Sequence, residues 1–246
     1  VDDDYLKQVR LSDMYAYISW LAAARNVASS TRARRISSLR SFFGYLSNQA
    51  NLLEENVADR LETPKQIKQL PRHLSLDESK ELLQAAAESE TRYSSRDYCI
   101  LTLFLNCGLR LAELCSIDIP NIKEDRLTVM GKGGKERTIY LNGACIRALQ
   151  DYLPDRFEAK KKDRHALFIS RLGTRVQPRA VQNIIKKYIV SAGLDPGRYS
   201  THKLRHTAAT LMYQYGEVDI RSLQAILGHS TVATTEIYTH IDNKQL

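Results

Sequence analysis

Along most of the chain, apolar residues recur every three or four positions, the spacing of helices that bury one face. In LSDMYAYISWLAA, Met14, Tyr17, Ile18 and Leu21 keep this spacing behind a Ser12 or Asp13 cap. SSTRARRISSLRSFFGYLSN places Ile36, Leu39, Phe43 and Leu46 on one face. LSLDESKELLQAAAES opens at a Ser75 cap and carries acids in its first turn, where the helix dipole favours them. The run from Ile100 to Leu105 is apolar nearly all round, which predicts a central, buried helix. Gly108 stops that helix. Arg110 then stands at the start of the next one, where unpaired N–H groups favour an anion. An arginine at that position serves either a phosphate or a salt bridge to Glu113. PRAVQNIIKKYIVSAG predicts a helix over 178–193, with Pro178 suited to its first position and Gly193 to its stop.

Period-two alternation is confined to a short stretch. RLTVMGKGGKERTIYLN predicts two strands around a glycine-rich tip, Gly131 to Lys135, and ALFIS (166–170) predicts a third. The tip lacks the GxxxxGK[ST] spacing of a P-loop. Lys132 and Lys135 in such a tip are either solvated or reach into a nucleic-acid groove. The fold class expected is mainly α: a helical N-terminal domain over 1–61, a linker over 62–74 and a mostly helical second domain over 75–246 with a small antiparallel sheet. The linker, ETPKQIKQLPRHL, contains Pro64 and Pro71 together with Lys65, Lys68 and Arg72.

Composition narrows the partner. Hydrophobic residues make up 43% of the 246, enough for a packed core, and no apolar run approaches the roughly 18 residues of a membrane span. Cys99, Cys107, Cys115 and Cys145 lack zinc-site spacing and read as reduced thiols of a cytoplasmic protein. The net charge of +8 favours a polyanion, and five arginines with no acid lie between Arg25 and Arg40. Arg32, Arg34, Arg35 and Arg40 fall largely off the apolar face, as a solvated basic surface or one that tracks DNA phosphates. Lys65, Lys68 and Lys135 extend the DNA-binding set. His202 and His206 stand four apart on a predicted helix, but the glutamate of HExxH is missing and Arg205 repels a cation, so no metal is expected.

Residues 200–240 concentrate the chemistry. Ser200 or Thr201 caps a helix through His202, Arg205, Leu211 and Tyr215, and Gly216 interrupts it. Asp219 caps a second helix with Ile220, Leu223, Ile226 and Leu227 on one face and Gly228 as its stop. His229 follows directly. Ser230 or Thr231 caps a third helix that carries Tyr238. GLRLAEL, GKGGKERTIYLN, HKLRH, LGHS and IYTH, in this order, resemble the tyrosine recombinase (phage integrase) family, and LGHSTVATTEIYTHI is most similar to its Xer branch.

The resemblance covers nearly the whole chain and implies a set of roles. Tyr238 attacks phosphorus and His202 takes its proton. Arg110 and Arg205 grip the non-bridging oxygens, and His229 hydrogen-bonds one of them. Lys132 protonates the leaving 5′-oxygen, and Glu113 orients the arginines. The implied activity is site-specific cutting and rejoining of DNA through a 3′-phosphotyrosyl bond, with no metal, ATP or other cofactor. The implied partners are double-stranded DNA with an inverted-repeat site and further copies of the chain, or of a homologous recombinase, in a tetramer. The implied setting is the bacterial cytoplasm, at the nucleoid. A DNA-binding protein of the same fold without recombination is the alternative. Family members usually begin with another helix and continue beyond the tyrosine into a terminal one, so the chain reads as truncated at both ends or as a divergent short member.

Overall fold

A computed structural model describes residues 3–65, 73–131, 133–216 and 218–228. The chain divides into two compact units, Val1–Leu70 and Pro71–Leu246. None of the described helices is long and apolar enough to cross a membrane.

The first unit is helical: α1 (Asp3–Gln8), α2 (Leu11–Ala23) and α3 (Ser29–Asn48). Met14, Ile36, Phe43 and Leu46 meet Ala58 and Leu61 in its core, and Leu39 and Ile18 pack at the edge. The start of α2 differs from the sequence expectation. Arg10 is the N-cap residue, and its backbone N–H donates to the Asp13 carboxylate (2.8 Å), so Asp13 caps from inside the first turn. A carboxylate at that position satisfies an orphan donor and also complements the helix dipole. Tyr15 fastens the segment after α3: its hydroxyl donates to the Arg60 carbonyl and accepts from the Glu62 N–H, both at 3.2 Å.

The second unit is built around α5 (Ser94–Cys107), with α4 (Leu76–Ala87), α7 (Gly143–Asp155), α8 (Pro178–Ser191) and α9 (Thr201–Tyr215) packed against it. Ile100, Leu101, Leu103 and Phe104 are fully buried, as an apolar run without a polar face requires. At about 1.5–3 kcal/mol for each such side chain, this helix anchors the unit. The other described α-helices and strands are α6 (Leu111–Ser116), the strands β1 (Ile122–Lys123), β2 (Arg126–Met130) and β3 (Glu136–Tyr140), and α10 (Ile220–Leu227).

The sheet is antiparallel in the order β1-β2-β3, with Leu127 opposite Ile139 and Val129 opposite Arg137. Its third strand is residues 122–123 and not 166–170. The 166–170 segment is buried at Ala166, Leu167, Phe168 and Ile169, but it makes only isolated bridges, Asp118 to Ala166 and Ile169 to Arg175. A short apolar run signals burial more firmly than it signals a strand. Helix α7 had no counterpart in the sequence reading. Asn142 caps it by accepting from the Cys145 N–H (3.0 Å), and Cys145, Ala148, Leu149 and Tyr152 form its buried face.

Candidate active site

Two glycines fix the backbone around the site. Gly108 ends α5 in the left-handed region (φ 56°), and a Cβ there would lie 2.8 Å from Leu227 Cδ2. Gly228 ends α10 in the same region (φ 62°), and a Cβ there would lie 3.2 Å from Arg137 Cδ. Only glycine adopts this conformation without strain and tolerates such close approach. The α5 stop, the α10 stop and the start of α6 therefore converge.

Glu113 lies at the centre of this convergence, 4% exposed in the first turn of α6. Its Oε2 accepts from the Arg110 backbone N–H (2.7 Å) and from Arg137 Nη2 (2.9 Å). Its Oε1 accepts from Arg110 Nη1 and Arg137 Nη1, both at 2.7 Å. Arg205 Nη1 stands 3.9 Å from Oε2, inside ion-pair range but beyond a hydrogen bond. Burial pushes the Glu113 carboxyl up, but hydrogen bonds from Arg137 and from the backbone and side chain of Arg110 outweigh it and hold the group at about 2. Three guanidinium groups against one carboxylate leave a surplus of positive charge, an arrangement suited to an anion.

The same arginines hold the end of α10. Arg137 Nε donates to the Ile226 carbonyl (2.9 Å), Arg205 Nη2 to Leu227 (2.5 Å) and Arg110 Nη2 to Gly228 (2.9 Å). Arg205 Nη1 also donates to the Gly108 carbonyl (2.6 Å). Three successive carbonyls at a helix C-terminus, where the dipole is negative, thus each receive a different cation. The side chain of Arg205 is 7% exposed, that of Arg137 12% and that of Arg110 35%. Arg110 is the member open to solvent. Its guanidinium has five N–H groups, and two of them are engaged by Glu113 and Gly228.

Helix α9 begins where the sequence placed it, with the Ser200 hydroxyl accepting from the Lys203 N–H. Thr207 Oγ1 accepts from the Leu74 N–H (2.9 Å) and so ties α9 to the segment entering α4. His202 is exposed, and its Nε2 lies 3.1 Å from His206 Nε2, with the rings edge to face. That contact needs a hydrogen on one nitrogen and a lone pair on the other. Burial, followed by His202, Arg205 and His73, pushes the His206 imidazole down to about 4, so it is neutral at pH 7.

Of the sequence-derived site, the structure brings Arg110, Glu113 and Arg205 together and places His202 on the helix that carries Arg205. Lys132, His229 and Tyr238 lie outside the described residues, as does Lys68. Arg137 was missed by the sequence reading. The signal was present: in β3, Arg137 shares strand parity with the buried Ile139, and an arginine on the apolar side of a strand needs a buried partner. The basic surface of α3 divides. Arg34 and Arg35 are exposed, and Arg35 Nη1 donates to Tyr17 Oη (3.0 Å). Arg32 and Arg40 are only partly exposed and donate to the carbonyls of Val27 and Leu61. Lys65 and Lys135 are exposed.

Comparison with known proteins gives this arrangement its context. The phage integrase family matches residues 72–245, and the phage integrase N-terminal SAM-like domain matches residues 2–50. Tyrosine recombinase XerC of Caldanaerobacter subterraneus subsp. tengcongensis is 51% identical over 246 residues, all of this chain and 69% of that protein. Tyrosine recombinase XerC of Alcanivorax borkumensis is 38% identical over 219 residues, 88% of this chain and 70% of that protein. Among solved structures, XerA recombinase aligns with a TM-score of 0.62 at 31% identity, covering 95% of this chain and 79% of that one. XerH bound to palindromic difH substrate in a post-cleavage complex shares the fold, with a TM-score of 0.82 at 23% identity over 98% of this chain and 71% of that one. With its arginines gathered on one buried glutamate and a tyrosine recombinase 51% identical along the whole of this chain, the chain belongs to the phage integrase family, as a site-specific tyrosine recombinase of the Xer branch.

Proposed function

We propose that the chain cuts and rejoins duplex DNA with Tyr238 as nucleophile, on a scissile phosphate held by Arg110 and Arg205. The observation that carries this reading is the surplus of guanidinium charge around Glu113, on a rigid frame and opening to solvent at Arg110. A phosphorane-like transition state gains negative charge on its non-bridging oxygens. Preorganised donors stabilise it by about 3–4 kcal/mol each.

In this reading the Tyr238 oxygen forms a bond to phosphorus as the bond from phosphorus to the 5′-oxygen breaks. The phenol, with an ordinary pKa of about 10, gives its proton to His202. Lys132 supplies a proton to the departing 5′-oxygen, and His229 donates to a phosphate oxygen. The products are a 3′-phosphotyrosyl link and a free 5′-hydroxyl. A new 5′-hydroxyl reverses the step, so exchange needs neither ATP nor metal. DNA with an inverted-repeat site is the substrate, contacted also by Arg34, Arg35, Lys65 and Lys135. The working assembly is a tetramer on DNA, with copies of the chain or of a homologous recombinase, at the bacterial nucleoid. The family alignments to both parts of the chain support the division into a core-binding domain, a linker and a catalytic domain.

A nicked duplex that traps the covalent intermediate tests this. Incubated in chelator without ATP, wild type is expected to give a protein–DNA band on a denaturing gel, and Tyr238→Phe none. Salt-sensitive binding with no adduct from wild type would favour DNA binding without recombination.

A further inference from the structure

Arg137 belongs to none of the roles assigned above, yet its three kinds of donor all end in the site. A carboxylate offers about four lone-pair positions. At Glu113 two are filled by Arg110, through its backbone and its side chain, and two by the fork of Arg137. No position is left for Arg205, whose Nη1 remains 3.9 Å away and donates to the Gly108 carbonyl, while its Nη2 donates to the Leu227 carbonyl. The third donor of Arg137, Nε, holds the Ile226 carbonyl. Its stem lies against Gly228, where any Cβ would crowd it.

We propose that Arg137 is a positioning residue for strand cleavage: it saturates Glu113 and so keeps Arg205 directed at the phosphate rather than at the carboxylate. This rests on the reading that Arg205 binds the scissile phosphate. The physical argument is competition. A buried carboxylate with two vacant lone pairs attracts a neighbouring cation strongly, and among the described residues Arg205 is the one in ion-pair range that is not already hydrogen-bonded to it. Without Arg137, Arg205 closes a bidentate pair with Glu113, and its charge is then partly neutralised just where the phosphorane develops. Arg137 also anchors β3, and thereby the hairpin, to the end of α10, so one side chain sets the spacing between these elements.

Two measurements test the proposal. The first is geometric and independent of activity. In a crystal structure of DNA-free Arg137→Gln, the Arg205–Glu113 separation is expected to shorten from 3.9 Å to hydrogen-bonding distance, about 3 Å. Should that variant fail to fold, Arg137→Lys, a point charge without the fork, gives the same readout. The second uses a nicked duplex selected from a random pool by binding to the wild-type chain. Single-turnover cleavage by the variant is expected to fall about 100-fold, with its DNA Kd within about threefold. On the same duplex with a neutral methylphosphonate at the scissile position, the deficit is expected to shrink to about tenfold or less, because a phosphate with one charge removed depends less on Arg205.

An Arg205 that stays at its original distance, or equal losses on the two duplexes, would overturn the proposal and leave Arg137 a scaffold residue. If wild type binds the duplex without forming an adduct, the cleavage reading fails, and the Arg205 position in the variant still decides what Arg137 does.

Discussion

Glu113→Gln removes one charge while keeping the side chain's size. The carboxylate accepts four hydrogen bonds from Arg110 and Arg137. A glutamine retains one acceptor oxygen and turns an NH₂ group toward guanidinium donors, so two of the four bonds are lost and donors face donors. The magnitude follows from titration. The carboxyl is held at about 2 instead of its usual 4.5. At about 1.4 kcal/mol per tenfold, the folded state favours the ionised form by about 3 kcal/mol. That agrees with the roughly 3–5 kcal/mol typical for removing one partner of a buried pair.

The sign with pH follows from the same numbers. The unfolded chain protonates this group near 4.5 and the folded chain near 2. The stabilisation is therefore complete above about 4.5 and shrinks as pH falls toward 2. The variant is expected to be less stable than wild type by about 3 kcal/mol at pH 7 and by only about 2 kcal/mol at pH 3.5. Urea unfolding followed by far-ultraviolet circular dichroism measures the difference, and the slope m must match between the two proteins. Trp20, the single tryptophan, reports the first unit separately by fluorescence. A penalty below about 1 kcal/mol at pH 7, or one that does not narrow in acid, would refute the account of Glu113 as a saturated hub.

Gly108→Ala forces a left-handed alanine against Leu227 and is expected to cost about 1–3 kcal/mol in urea unfolding. His206 is expected to stay neutral by histidine NMR until pH falls to about 4. Because its folded value is depressed, its stabilisation is complete above the unfolded value of 6.5 and is lost as pH falls through about 4; titration at 6 or above would contradict the burial argument. Arg34→Ala with Arg35→Ala is expected to lower the salt slope of DNA binding by about 2. Arg32→Ala and Arg40→Ala are instead expected to leave that slope unchanged and to cost about 1–3 kcal/mol each in the first unit's stability.

Helices with strong signals were legible from the sequence. The apolar run of α5 must be buried, and Ser75, Ser200 and Asp219 cap where a short polar side chain precedes a periodic stretch. Segment 166–170 was misread as a strand because burial alone gives an apolar run no preferred pairing. The Asp13 cap was misplaced because a carboxylate in the first turn serves the same N–H groups as one just before it. In the site, Arg110 and Arg205 stood out through their motifs, whereas Arg137 resides in a strand whose neighbours look ordinary. Its importance comes from contacts to residues 24 and 89 positions away, a pairing no local window contains.

The capping of α10 by three arginines makes this part of the protein tolerant of one class of genetic change and intolerant of another. The arginines grip the carbonyls of residues 226, 227 and 228, not their side chains. Toward the arginines, exchange at Ile226 is therefore silent, within the limits that packing sets there. Deleting or inserting one residue inside α10 is different. It turns the helix end by about 100° and shifts it by about 1.5 Å, which moves all three carbonyls out of register together. Homologues are expected to vary in the letters of this segment while conserving its length, because what the site measures here is backbone phase.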